Sequence, residues 1–194
     1  MTANAPTIER LDPATISDAD ARAIARLGFL AWPDNDETPE PRLRRILDRQ
    51  ARGHWKPGDE TWFVVRDAPG GEIVAKAQTF RRRILPRQGN PMTVLALAGV
   101  TTRPDSRGKG IGSALVARAL QQVAPPDVPF ALFQTTPPRQ RFYERLGCVL
   151  VTNRFVNSRA DDPEASPWWN ELVFRYPDAG DWPAGAIDLN GPGY

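Results

Sequence analysis

Cysteine and histidine each occur once in the 194 residues, as Cys148 and His54. One of each excludes an intramolecular disulfide and any zinc site built from several Cys and His ligands, so no metal is expected. Catalysis of the Cys–His or Ser–His–Asp kind would have to use His54. Long apolar runs are missing too: no stretch approaches the roughly 18 residues of a membrane-spanning helix. Neither sign of charge dominates, with 25 Lys and Arg against 23 Asp and Glu. The basic residues do not form a stripe with interleaved aromatics, so no nucleic-acid partner is expected despite a sequence pI near 9.0. The opening Met1–Pro6 has neither the basic start nor the apolar run of a secretory signal, and the expectation is a cytoplasmic protein.

What is present is a globular balance, 41% hydrophobic and 25% charged, at a length suited to one core. Thr7–Leu11 reads as a short strand. Ser17 is a candidate N-cap for a helix carrying Ile24, Leu27 and Ala31 at helical spacing, ended by Trp32-Pro33. A second helix starts near Thr38-Pro39, with Leu43, Ile46 and Leu47 on one face and Gly53 beyond its end. Strands are expected at 61–66, 72–83 and 92–102, and a helix at 112–123 that stops before Pro125-Pro126. A strand at 130–134, a short helix from about Pro138 to Leu146 closed by Gly147, and strands at 149–155 and 172–176 complete the order. From Pro177 to Tyr194 the composition turns to Pro, Gly, Asp and Asn, and an irregular tail is expected.

The chemistry is concentrated where the third main strand ends. Val100-Thr101-Thr102-Arg103-Pro104-Asp105-Ser106 leads into Arg107-Gly108-Lys109-Gly110-Ile111-Gly112 and then a helix. Glycines let backbone N–H groups approach an anion, the helix start adds unpaired donors, and Arg107 and Lys109 add charge, so the loop suits a phosphate group. A Walker A loop would need Ser or Thr where Gly110 follows Lys109. The dinucleotide fingerprint would need glycine where Ser113 stands.

The spacing R-x-x-G-x-G, carried by Arg107, Gly110 and Gly112, resembles the cofactor-binding motif of the GNAT superfamily of N-acetyltransferases. Phe142-Tyr143-Glu144-Arg145-Leu146-Gly147-Cys148 resembles that superfamily's second signature, with Cys148 replacing the usual aromatic. The resemblance implies a mixed α/β fold, with a mostly antiparallel central sheet flanked by helices and a splayed strand pair forming an acyl-CoA cleft. It implies one such domain over residues 1–176, with 177–194 as the tail.

The implied activity is transfer of an acetyl group from acetyl-CoA to a primary amine by direct attack. The alternative is a non-catalytic acyl-CoA sensor or interaction module. By the same resemblance Val100, Thr101 and Thr102 line the pantetheine arm, with the Val100 N–H facing the thioester oxygen. Arg107, Gly108, Lys109, Gly110, Ile111 and Gly112 hold the pyrophosphate. Thr136 stands where the family often has Asn; it can cap the following helix and offer its hydroxyl to the cofactor. Tyr143 matches the general acid that protonates the departing thiolate. The base is left open among Glu60, His54 and a water relay. Asp34, Asp36 and Glu37 either attract a cationic amine or favour the next helix's N-terminus. The partner is a small-molecule or peptide amine, and a homodimer is left open.

Overall fold

The computed structural model describes residues 6–32 and 38–194, so the acids at 34, 36 and 37 lie outside the described residues. The elements are β1 (Ile8–Leu11), α1 (Asp18–Ala31), α2 (Glu40–Ala51), β2 (Glu60–Arg66), β3 (Ile73–Pro86), β4 (Met92–Thr102) and α3 (Ile111–Leu120). They continue with β5 (Ala131–Thr135), α4 (Gln140–Glu144), β6 (Val149–Leu150), β7 (Phe155–Val156), β8 (Leu172–Tyr176) and β9 (Ile187–Asp188). The fold is mixed α/β with a mostly antiparallel sheet, the parallel exceptions being β4 with β5 and β7 with β9. Two compact units share the long strands β3 and β4: residues 1–79 with 99–119, and residues 80–98 with 120–194.

In the first unit the strand order is β1-β2-β3-β4. The Ser17 Oγ accepts the Asp20 N–H at 3.1 Å, as its type and position predict, and this starts α1. Ala21, Ile24, Ala25 and Leu27 then form the stripe that α1 buries, in one cluster with Leu43, Trp55, Trp62 and Val64. Arg66 of β2 joins three elements, at 3.0 Å from Glu9 of β1 and 2.5 Å from Asp20 of α1. Glu9 and Asp20 together hold its guanidinium above its ordinary pKa, with the Asp20 hydrogen bond the larger cause.

In the second unit the order is β3-β4-β5-β8-β6, with β9 joined to both β3 and β7. Val94, Leu95, Ala96 and Leu97 are all buried, which matches a strand covered on both faces rather than an alternating one. The parallel register of β4 and β5 joins two residue pairs, Leu95 with Ala131 and Ala96 with Leu132. Along its other edge β5 pairs with β8 from Ala131 to Thr135. Among the described residues, Phe133–Thr135 is therefore paired with β8 and not with β4.

Two expectations change here. The strand anticipated over 149–155 divides into β6 and β7, which pair with β8 and β9 respectively. The segment after Pro177 carries a strand, β9, and Ile187 and Leu189 are fully buried beside Ile84, Phe130 and Phe155. Trp182 packs edge-on against Phe130 and donates its indole N–H to Asn153. Composition pointed to an irregular tail because two buried aliphatic residues among many Pro, Gly and Asp carry little periodic signal. Of the adjacent tryptophans, Trp168 is buried against Phe155 and Tyr194, while Trp169 is 68% exposed.

Leu189→Ala is expected to destabilise the protein by about 2–5 kcal/mol in urea unfolding, because the cavity it leaves lies inside a packed cluster. Trp169→Ala should leave the midpoint within the small range of an exposed change, about 0.5 kcal/mol.

Candidate active site

The first unit holds the strand end and the glycine loop. β4 departs from regular extension at Gly99, whose φ is +58° and whose backbone is exposed. The Thr101 hydroxyl donates to the Gly99 carbonyl at 3.0 Å and fixes this bend from the inside. Val100 and Thr102 are half-buried and Thr101 is buried, so the strand presents alternate residues at its end. The Arg103 N–H donates to the Val74 carbonyl at 2.8 Å and ties the exit to β3.

Arg103 then anchors the turn. Its guanidinium lies 2.7 Å from Asp105, 3.3 Å from Glu72 and 3.6 Å from Asp67. Hydrogen bonds from Arg103 first, then Ser106, hold the Asp105 carboxyl below its usual pKa. The acid in the turn is therefore matched chiefly by Arg103 and Ser106, with a smaller electrostatic contribution from Lys109 of the loop.

Gly108 and Gly110 both sit at φ +77°, the left-handed region that glycine enters without a Cβ penalty. A Cβ at either would meet nothing within 4 Å, so the backbone conformation and not crowding requires glycine. Alternating handedness turns successive N–H groups toward one side, the geometry of an anion nest. The Gly110 carbonyl accepts the Ala114 N–H at 3.0 Å, which makes it the first acceptor of α3. Helix geometry leaves the N–H groups of Ile111, Gly112 and Ser113 without an intrahelical acceptor, at the positive end of the helix dipole. Arg107 and Lys109 are exposed on the same loop, and Arg107 Nε donates to the Thr102 carbonyl at 3.2 Å. These donors and cations fit a diphosphate.

The second unit holds Thr136, Tyr143 and Cys148. Thr136 precedes a 3₁₀ turn over Pro137–Arg139, its carbonyl accepting the Arg139 N–H at 2.9 Å. Its hydroxyl makes no capping hydrogen bond, against expectation. A cap hydroxyl would serve the N–H of residue 138 or 139; Pro138 has none and the Arg139 N–H goes to the Thr136 carbonyl, so the hydroxyl is left for another partner. Tyr143 is buried on α4 between Phe133 and Phe174, with ring centroids 4.6 and 6.2 Å away. Burial, chiefly, pushes its phenol up to about 12, and a hydrogen bond with Thr135 opposes the shift. Tyr143 is thus a protonated donor throughout the neutral range. Burial also pushes the Cys148 thiol up to about 12, which makes it an unreactive packing residue.

Of the candidate bases, His54 is exposed at 5.7 Å edge-on to Trp55. Glu60 accepts both the Trp55 and the Trp62 indole N–H, so its two oxygens are engaged. Sequence reasoning missed Lys76, a buried lysine of β3 whose Nζ lies 4.3 Å from the Trp62 ring centroid. Set among Ile73, Val74, Ala75 and Ala77, it looked like one polar position in an ordinary strand.

A family model described as an acetyltransferase (GNAT) domain matches residues 12–151. A CoA complex of a GNAT N-acetyltransferase from Escherichia coli superposes with a TM-score of 0.57 at 17% identity, covering 97% of this chain and 93% of that one. A Corynebacterium glutamicum structure described as histone acetyltransferase HPA2 and related acetyltransferase gives 0.56 at 22% identity, covering 91% and 98%. Glucosamine-6-phosphate N-acetyltransferase from Arabidopsis thaliana gives 0.52 at 20% identity, covering 80% and 99%. At these identities the structures show a shared fold.

Gly110→Ala places a Cβ on a residue at φ +77° and should cost about 1–2 kcal/mol. Because the strain is relieved by reshaping the loop, calorimetric titration with CoA is expected to show binding weakened by about tenfold, equivalent to about 1.4 kcal/mol.

Proposed function

We propose that this chain, which belongs to the GNAT acetyltransferase family, transfers the acetyl group of acetyl-CoA to the nitrogen of a primary amine by direct attack on the thioester. Acetyl-CoA is the family's acyl donor. The observation that carries the reading is the loop from Arg107 to Gly112. Two left-handed glycines, two exposed cations and a helix start converge there on a place for a diphosphate.

In this reading the loop and the first turn of α3 hold the pyrophosphate, and Val100, Thr101 and Thr102 line the arm that carries the thioester. The Val100 N–H donates to the thioester oxygen. A donor that strengthens as negative charge develops there contributes on the order of 3 kcal/mol to the barrier. Thr136 offers its uncommitted hydroxyl to the cofactor. The amine supplies the nucleophile, so neither Cys148 nor any other protein nucleophile is needed. Tyr143 donates its proton to the departing sulfur. Its raised pKa supports this role, since the phenol stays protonated wherever the enzyme would work.

The second reading, an acyl-CoA sensor, draws on the burial of Tyr143 in an aromatic cluster, which would also suit a packing residue. Free-thiol release from acetyl-CoA across polyamines, amino acids, aminoglycosides and peptide amines separates the two. Turnover is expected with one of these classes, and Tyr143→Phe should lower kcat by about 10²–10⁴-fold while the KM for acetyl-CoA is unchanged. Tight acetyl-CoA binding with no turnover on any amine would establish the sensor instead.

A further inference from the structure

Lys76 is a buried charged side chain that acyl transfer, as assigned to the loop, Val100 and Tyr143, leaves unused. It is 8% exposed, on a stretch of β3 where Ile73, Val74, Ala75 and Ala77 are all buried. Buried ammonium groups are normally held by a carboxylate. Among the described residues Lys76 has no carboxylate within ion-pair distance. Its Nζ instead donates to Gln78 Oε1 and lies over the face of Trp62. Glu60 of β2, whose oxygens are held by the Trp55 and Trp62 indoles, is the charge that acts on it from a distance. Gln78 on its own strand and Gly99 on β4 are neutral.

The position of Nζ is as informative as its burial. A Cβ added to Gly99 would lie 3.4 Å from Lys76 Nζ and 3.1 Å from Gln78 Oε1. The absence of a side chain at Gly99 thus keeps the lysine next to the exposed backbone of that one residue, directly before Val100. Lys76 reaches the strand end that the acyl-transfer reading assigns to the thioester, and reaches it from inside the protein.

We propose that Lys76 is the general base of the reaction, its neutral amine taking the proton that the acceptor nitrogen loses as it bonds to the acyl carbon. This rests on the acyl-transfer reading. In the step, the acceptor nitrogen forms the new C–N bond and its proton passes to Lys76 Nζ. The C–S bond breaks and the sulfur takes the Tyr143 proton. Lys76 afterwards releases its proton to solvent and the Tyr143 phenolate takes one back from solvent, so both groups are restored with no net proton change. Its surroundings suit a base that works near neutrality. Burial lowers the ammonium to about 8, against a smaller opposing pull from Glu60, so about a tenth of the amine is neutral at pH 7 and about half at pH 8. Trp62 and Glu60 steady the ammonium that forms. They position the base and touch no substrate.

The test combines two measurements on the whole chain. First, the ¹³Cε resonances of labelled lysines are followed with pH in the wild-type protein, with Lys76→Arg used for assignment. Lys76 should titrate near 8, and a titration near the ordinary 10.5 would overturn the proposal. Second, kcat is measured from pH 6 to 10 for wild type, Lys76→Arg and Lys76→Met, using whichever amine of the panel the wild type acetylates. Wild-type kcat should rise to a plateau through the NMR pKa. Both variants should lose about 100-fold or more at the plateau while binding CoA as the wild type does. Full activity in Lys76→Arg would make Lys76 a fixed cation, full activity in Lys76→Met would make it packing, and either result overturns the assignment. A wild type that turns over no amine sinks the acyl-transfer reading itself, a different failure from active variants.

Discussion

Hydrogen-bond accounting along β4 constrains the rest of the molecule. Buried backbone groups have to be paired, yet chemistry at a strand needs groups left free for a ligand. β4 meets both demands in sequence: Leu95 and Ala96 are buried and paired with β5, and Gly99 then turns the strand through a positive φ at an exposed position. β5 pairs with β4 at Ala131 and Leu132 and with β8 from Ala131 to Thr135. The glycine loop follows within ten residues of the bend.

Charge is managed in the same local way. Arg103 gathers Asp67, Glu72 and Asp105, so the acid of the turn before the loop is compensated where it stands. Arg107 and Lys109 stay exposed. Their contribution is screened by salt and by water, so the backbone geometry supplies the orientation and the cations supply attraction. Lys76 is the contrary case, a cation taken out of water and placed beside the bend, where its proton is easily lost.

Features determined by neighbours in sequence were legible before the fold was. Ser17 caps α1 because hydroxyl and amide lie three residues apart. Gly108 and Gly110 were legible as turn glycines because their backbone requirement is local, and both take the left-handed conformation. Tyr143 was marked by a motif, whereas its burial and raised pKa come from the aromatic residues packed on it. What depended on distant residues was not legible. Lys76 acquires its properties from Trp62, Glu60 and Gly99, none adjacent to it, and Ile187 and Leu189 are structured by β3 and β7 rather than by any period of their own. Thr136 failed as a cap because Pro138 has no N–H and the Arg139 N–H is taken by the Thr136 carbonyl, a local reason that the residue type alone concealed.

Amide hydrogen exchange with and without saturating CoA tests the central claim most directly, because it reports on backbone N–H groups one segment at a time. The account predicts slowed exchange over the loop from Gly108 to Ser113 and at Val100. Unchanged exchange at those amides under saturating CoA, with protection arising elsewhere in the chain, would contradict it.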